Sequence, residues 1–204
     1  MLVIIDYGVG NLASISNMFR KIGVSSIVSS NVNDVLQASK IVLPGVGSFD
    51  TCARRLRQSG LLDALTHQVQ IIKVPIMGVC VGMQLLFEKS EEGLLPGLAW
   101  IKGEVVRFDA GRMPIDLKIP HMGWASVIQA KASLLLNGLD DQSRFYFVHS
   151  YHVAVANQDD TLLTATCGYS FVAAIQRDNI IGVQFHPEKS HRFGMTLLGN
   201  FARF

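Results

Sequence analysis

Pro75-Ile76-Met77-Gly78-Val79-Cys80-Val81-Gly82-Met83-Gln84 runs from a short apolar stretch, through a cysteine with a glycine two residues to either side, into a segment of helical period. A short apolar run bounded by a turn marks a fully buried strand, and small neighbours let a tight strand-to-helix turn push one side chain clear of the backbone. The pattern predicts a strand over 75–79 running into Cys80 and a helix over 82–89. Outward from there the same rhythm recurs. Leu2–Ile5 is an apolar strand-like run ending at Asp6-Tyr7-Gly8, and a periodic segment over 12–22 follows it, closed by Gly23. Residues 24–29 read as a short strand and 32–38 as a short helix; 40–43 read as a buried strand stopped by Pro44-Gly45-Val46-Gly47, and 50–72 as a helix interrupted at Ser59-Gly60. Strands alternating with helices over residues 1–90 predict an α/β fold: a doubly wound, mostly parallel sheet flanked by helices. Sites in such sheets form beyond the carboxyl ends of the strands.

The second half has a different texture. Residues 98–108, 124–128, 145–148, 152–155, 162–166, 171–176 and 180–184 are short β-rich runs between turn residues. They predict an added antiparallel β-rich portion folded back on the parallel sheet, with 188–204 closing the chain as a helix. No linker, internal repeat or low-complexity tract divides the chain, so residues 1–204 are expected to form one domain.

Composition narrows the function classes. Apolar residues make up 49% and charged residues 17%, with a net charge of +2, which excludes a disordered tail and a charge-rich nucleic-acid binder. Surface scaling for this length leaves roughly 9,400 Å² exposed, with about 70% of the chain's surface buried, enough for a core without staples. The three cysteines, Cys52, Cys80 and Cys167, are an odd number and contain no Cys-x-x-Cys pair, which fits a reducing cytoplasm. The start of the chain lacks the basic flank and length of a signal peptide, and no apolar run approaches the ~20 residues of a membrane span. A cytoplasmic protein with neither membrane nor nucleic acid as partner is expected.

Gly78-Val79-Cys80-Val81-Gly82 has the layout of a nucleophile elbow with sulfur as the nucleophile. At a helix N-terminus the free N–H groups and the dipole favour the thiolate, and the Val81 N–H points where an oxyanion would form. Alone, the pentapeptide also fits a buried structural cysteine. His186-Pro187-Glu188 follows the last strand, and residues i and i+2 share a side in extended geometry. Glu188 can therefore hold the His186 imidazole while the other ring nitrogen faces a nucleophile. A histidine at a strand end is by itself more often a surface or capping residue than a base; with the elbow, the set reads as nucleophile, base and orienting carboxylate. Pro44-Gly45-Val46-Gly47-Ser48 closes a strand at the same sheet edge, where a flipped Val46 N–H would supply a second oxyanion donor. An ordinary βα turn is the other reading, and the following Lys-Ser/Thr of a phosphate loop is missing. His149, His152, His186 and His191 match no metal-ligand spacing, so neither metal nor cofactor is expected. His149 and His152 would point to opposite faces if extended and are expected to pack or to face a partner, while His67 and His121 have no case for catalysis. Cys52 and Cys167 read as core residues.

Gly78-Val-Cys-Val-Gly-Met-Gln84-Leu-Leu-Phe87 together with His186-Pro-Glu188 resembles the triad-bearing class I glutamine amidotransferases. More narrowly, the chain resembles the glutaminase subunits of imidazole glycerol phosphate synthases. That match rests on Asp6-Tyr-Gly-Val-Gly-Asn11-Leu, Pro44-Gly-Val-Gly47-Ser-Phe, Lys118-Ile-Pro-His-Met-Gly-Trp124, Phe147-Val-His-Ser-Tyr151 and Gln184-Phe-His-Pro-Glu-Lys-Ser190. Val81 replaces the usual leucine and Ala125 the common asparagine; neither change removes a side chain the chemistry needs.

The resemblance implies hydrolysis of glutamine to glutamate and ammonia through a γ-glutamyl thioester on Cys80, with His186 as acid and base and Glu188 fixing its tautomer. It implies a glutamine pocket of Gly47, Val81, Gln84, Glu92, Ser150 and Tyr151, with Val46 and Val81 as oxyanion donors. It also implies a heterodimer with a (β/α)8-barrel cyclase subunit, which receives the ammonia through its interior and makes imidazole glycerol phosphate and AICAR. The docking surface would comprise the Asn11 turn and the segment of Pro120, His121, Met122 and Trp124, taken as a turn, whose aromatic and Met content also suits a satellite core cluster. Val46 would be misoriented until the partner binds its nucleotide. A glutaminase for another synthase, a cysteine peptidase-like hydrolase and a silent regulatory subunit remain as alternatives, the last opposed by the complete triad.

Overall fold

A computed structural model describes residues 1–115 and 117–204. The first half contributes strands β1 (Leu2–Ile5), β2 (Ser26–Ser29), β3 (Lys40–Gly45) and β4 (Ile76–Cys80) and helices α1 (Leu12–Lys21), α2 (Val32–Leu36), α3 (Phe49–Gln58), α4 (Leu62–Thr66) and the single turn α5 (Val81–Gln84). The second half contributes β5 (Lys89–Ser90), β6 (Gly103–Arg107), β7 (His121–Ser126), β8 (Ile128–Gln129), β9 (Arg144–His149), β10 (Tyr151–Val155), β11 (Thr161–Cys167), β12 (Tyr169–Arg177), β13 (Ile180–Val183) and the closing helix α6 (His191–Arg203).

Local chemistry starts and stops these elements as expected. Asn31 and Ser48 cap α2 and α3, their side chains accepting from the N–H groups of Asn33 and Thr51. Phe49, Cys52, Ala53 and Leu56 recur at helical spacing and form the buried stripe of α3. Gly60, at φ +74°, breaks the long helical pattern between α3 and α4.

Eleven strands form one sheet in the order β2-β1-β3-β4-β13-β12-β10-β6-β5, with β11 joining β12 to β8. The block from β2 to β13 is parallel. Strand β12 pairs antiparallel with β13 on one side and β10 on the other, β10 pairs antiparallel with β6, and the edge strand β5 pairs parallel with β6. Strands β1, β4 and β13 are buried along their whole lengths. The expected fold class is therefore borne out, and a separate two-stranded antiparallel sheet pairs β7 with β9. For the site, the central register matters most. Gly45 pairs with Cys80, and Val79 with Val183, so the carboxyl ends of β3, β4 and β13 converge.

Four local expectations are corrected. Strand β3 continues through Pro44 and Gly45 instead of stopping at 43, because β1 pairs with it only as far as Val42 and a proline is tolerated where one neighbour has left. The helix expected over 82–89 ends at Gln84: the carbonyls of Leu85, Leu86 and Phe87 accept from the N–H groups of Leu98, Trp100 and Ala99, which removes the acceptors a longer helix would use. The segment taken as a turn around Trp124 is strand β7, alternating between inward and outward side chains. Residues 188–190 belong not to the closing helix but to a short 3-10 turn, Pro187–Lys189, and its boundary at Ser190. None of the described helices is long and apolar enough to cross a membrane.

Candidate active site

Cys80 ends β4 at φ +55° and ψ −113°, left-handed backbone in which a side chain other than glycine is strained. Close packing around it holds the strain. A Cβ on Gly82 would strike the Leu43 carbonyl, one on Gly45 would strike the Gly82 nitrogen, and one on Gly78 would lie 2.6 Å from the Gly82 carbonyl oxygen. Glycines on β3, β4 and α5 thus let three backbone segments interlock, and the sulfur projects into the pocket at their edge. Gly45, read from sequence as freedom for a flip, is first of all a close approach.

His186 follows β13 and is buried beside Cys80. Its Nδ1 lies 2.8 Å from Glu188 Oε1, which leaves Nε2 available to the neighbouring Cys80 thiol. Burial alone would depress the imidazolium; the hydrogen bonds and charges of Cys80 and Glu188 outweigh it and push His186 up to about 9. The second oxygen of Glu188 is buried without a partner among the described residues, and the residue borders a cavity of about 310 Å³ between α1 and α6.

A pocket of about 390 Å³ opens over the sulfur. Its lining brings together Val46, Gly47, Cys80, Val81, Gln84, Glu92, Ser150, Tyr151 and His186, with Pro120, Val148, His149 and Lys189 completing the wall. Every residue expected to bind glutamine or stabilise an oxyanion therefore lies on one concavity, and Glu188 stands behind His186. Gln84 Nε2 reaches the Tyr151 carbonyl at 3.2 Å and Gln184 Oε1 at 3.1 Å, which commits its two donors and leaves its own oxygen as an acceptor. Glu92 Oε2 accepts from the Phe49 N–H at 2.8 Å, placing its charge at the N-terminus of α3.

The expected docking residues divide. Met122 and Trp124 point outward, 62% and 43% exposed, and Pro120 is exposed at the pocket wall. His121 instead faces inward, stacked on Phe147, with Nδ1 3.2 Å from His149 Nε2. Asn11 sits at the start of α1 with no side-chain capping bond and does not line the pocket. His149 and His152 are packed, not opposed: the bend at Ser150 resets the alternation, and both rings lie against Phe108 and Phe171. Burial holds His149 down at about 3, so it is neutral; its Nδ1–H donates to the Tyr151 carbonyl at 2.8 Å, and Nε2 accepts from His121. No group of side chains among the described residues is arranged to hold a metal ion.

Two positioning side chains were not singled out from sequence. Ser190 is fully buried; its hydroxyl donates to the His186 carbonyl at 2.6 Å and accepts from the Tyr146 N–H at 3.0 Å. Gln184 is fully buried between Gln84 and the Cys80 sulfur, 3.8 Å from the latter. Both belong to the run quoted around His186, and the signal available was an uncharged polar residue in an otherwise apolar strand end.

The model of the glutamine amidotransferase class-I family matches residues 3–203. The chain belongs to the class-I glutamine amidotransferases. This amidotransferase is 51% identical over 201 residues to imidazole glycerol phosphate synthase subunit HisH 2 of Pseudomonas aeruginosa, covering 98% of each chain. It is 46% identical over 203 residues to the subunit HisH 2 of Methanococcus maripaludis, covering 100% of this chain and 99% of the relative. The resemblance stated from the motifs is borne out. The solved structure of PurLQS from Thermotoga maritima shares the amidotransferase fold at a TM-score of 0.71 and 16% identity, covering 99% of this chain and 97% of that one.

Proposed function

We propose that this chain is the glutaminase subunit of an imidazole glycerol phosphate synthase in histidine biosynthesis. One observation carries the chemistry: a strained cysteine at a strand-to-helix elbow shares its pocket with a buried histidine whose Nδ1 is held at 2.8 Å by a buried carboxylate. Cys80 Sγ attacks the side-chain carbonyl carbon of glutamine. The negative oxygen so formed is met by the N–H groups of Val81 and Val46. His186 gives its proton to the departing nitrogen, ammonia leaves, and a γ-glutamyl thioester remains. His186 then takes a proton from water, whose oxygen attacks the thioester, and glutamate departs with the thiol restored. Glu188 keeps the histidine in one tautomer throughout.

Gln84 and Glu92 suit the amino-acid end of glutamine, since an acceptor and a carboxylate face a substrate ammonium, while Gly47 and the Ser150-Tyr151 backbone line the other side. Ammonia set free in water would be protonated and lost as a nucleophile. The pocket's open side therefore meets a partner, a (β/α)8-barrel cyclase that takes up the ammonia and makes imidazole glycerol phosphate and AICAR. Outward-facing Met122 and Trp124, with Pro120 and the Asn11 turn, form the docking surface of this heterodimer, and inward-facing His121 supports the strand that presents them. Residues 1–204 act as one domain in the cytoplasm, a reading supported by the continuous sheet and by three free, buried cysteines.

The test is glutamate and ammonia release from glutamine by the chain and by Cys80→Ala, each alone and with the cyclase plus its nucleotide substrate. Turnover by the wild type that rises with the loaded partner, and none by Cys80→Ala, is expected. A variant that keeps the wild-type rate, or a cyclase without effect, would overturn the nucleophile or the partner respectively.

A further inference from the structure

At the carboxyl end of β3 the segment Pro44–Gly47, which carries the Val46 oxyanion donor and is called the oxyanion strand below, is gripped from outside the pocket by two residues the mechanism does not use. The Tyr7 hydroxyl, just past the carboxyl end of β1, donates to the Pro44 carbonyl at 2.5 Å. The Cys52 thiol, on α3, donates to the Val46 carbonyl at 3.3 Å. Both side chains are buried, and they lie against each other. Burial pushes the Cys52 thiol up to about 11 and the Tyr7 phenol well above its usual value, so both remain protonated donors across the working range of an enzyme.

Each carbonyl fixes the peptide plane to which it belongs. Pro44–Gly45 and Val46–Gly47 are therefore held by side chains, whereas among the described residues no side chain holds the Gly45–Val46 plane between them, which is tied only by the end of the backbone ladder where Gly45 pairs with Cys80. A peptide between two fixed planes turns by opposite changes in the ψ before it and the φ after it, and glycine on its N-terminal side makes that turn cheap. We propose that Tyr7 and Cys52 are positioning residues that confine motion of the oxyanion strand to the Gly45–Val46 peptide, so that the Val46 N–H turns toward the substrate oxygen without displacing Gly47 or Pro44. This rests on the oxyanion role proposed above for Val46.

The experiment uses the complex with the loaded cyclase and glutamine as substrate. Tyr7→Phe and Cys52→Ala are each expected to lower kcat about tenfold, short of the ~10²–10³ for outright loss of an oxyanion donor, with KM for glutamine unchanged within about twofold. Cys52→Ser, which restores a donor, should recover kcat. In the lone chain, the Gly47 amide resonance of Cys52→Ala should shift and broaden as its plane is released. Both variants keeping kcat, KM rising with kcat unchanged, or an unaltered Gly47 amide would each overturn the clamp. If the wild-type complex itself shows no glutaminase activity, the functional reading fails instead, and the Gly47 amide still reads the clamp.

Discussion

Replacing Ser190 by alanine should separate the catalytic geometry from the pocket. Ser190 stands at the N-terminus of α6, where a serine ordinarily caps the helix, yet its side chain makes no capping bond. The hydroxyl is used instead to tie the His186 carbonyl to the Tyr146 N–H on β9. In Ser190→Ala the His186 carbonyl keeps the Lys189 N–H at 3.0 Å, but the Tyr146 N–H is left without its partner. An orphaned buried donor costs about 1–3 kcal/mol, and at this chain length that lowers Tm by about 2–12 °C. The kinetic effect should be larger. The bond sets where the loop of His186 and Glu188 sits relative to Cys80, and a misplacement near 1 Å costs on the order of 10²-fold in rate. Steady-state glutamate formation in the cyclase complex should show kcat reduced between about 10- and 100-fold, with KM within about twofold because Gln84 and Glu92 stand on other elements. Urea melts of the same samples give the stability change. A kcat within threefold of wild type beside the expected stability loss would refute the positioning role, leaving Ser190 as a strut.

Glu188→Gln removes one of the two groups that hold His186 near 9 against burial, so the His186 ring titration followed by NMR should move down and kcat should fall by about 10²–10⁴-fold; an unmoved midpoint would sink the assignment. Folding stability should peak near the ordinary histidine value. His149, held down at about 3, contributes fully above ~6.5 and loses that contribution as pH falls toward 3, whereas His186 contributes fully below ~6.5 and loses it as pH rises through about 9. Urea midpoints that rise steadily from pH 5 to pH 9 would contradict this. Met122→Asp, on a side chain 62% exposed, should leave the lone chain within about 0.5 kcal/mol of wild-type stability while weakening cyclase association at least tenfold; unchanged association by calorimetry would remove Met122 from the docking surface.

Where sequence and structure diverge, the cause is a distant neighbour. Pro44 looked like a stop because proline lacks a donor, but whether a donor is needed at that position depends on how far β1 runs beside it. The helix after Cys80 looked longer because Leu85-Leu86-Phe87 carries helical spacing, yet its carbonyls belong to the segment from Leu98 to Trp100. The cluster of Pro120, His121, Met122 and Trp124 read as a turn, and pairing with β9 drew residues 121–126 into a strand.

The alternation of strands and helices, the elbow, and the roles open to Cys80, His186 and Glu188 are legible along the chain, because hydrophobic period, glycine placement and the i, i+2 step at a strand end are local properties. It took the assembled fold to bring the ends of β3, β4 and β13 side by side, to pack Gly45 against Gly82 backbone to backbone, and to set Ser190 on His186, Gln184 beside Cys80, and Tyr7 and Cys52 on the carbonyls of Pro44 and Val46. Those facts join residues tens of positions apart, and such contacts are set by sheet order and close packing, which no local pattern encodes.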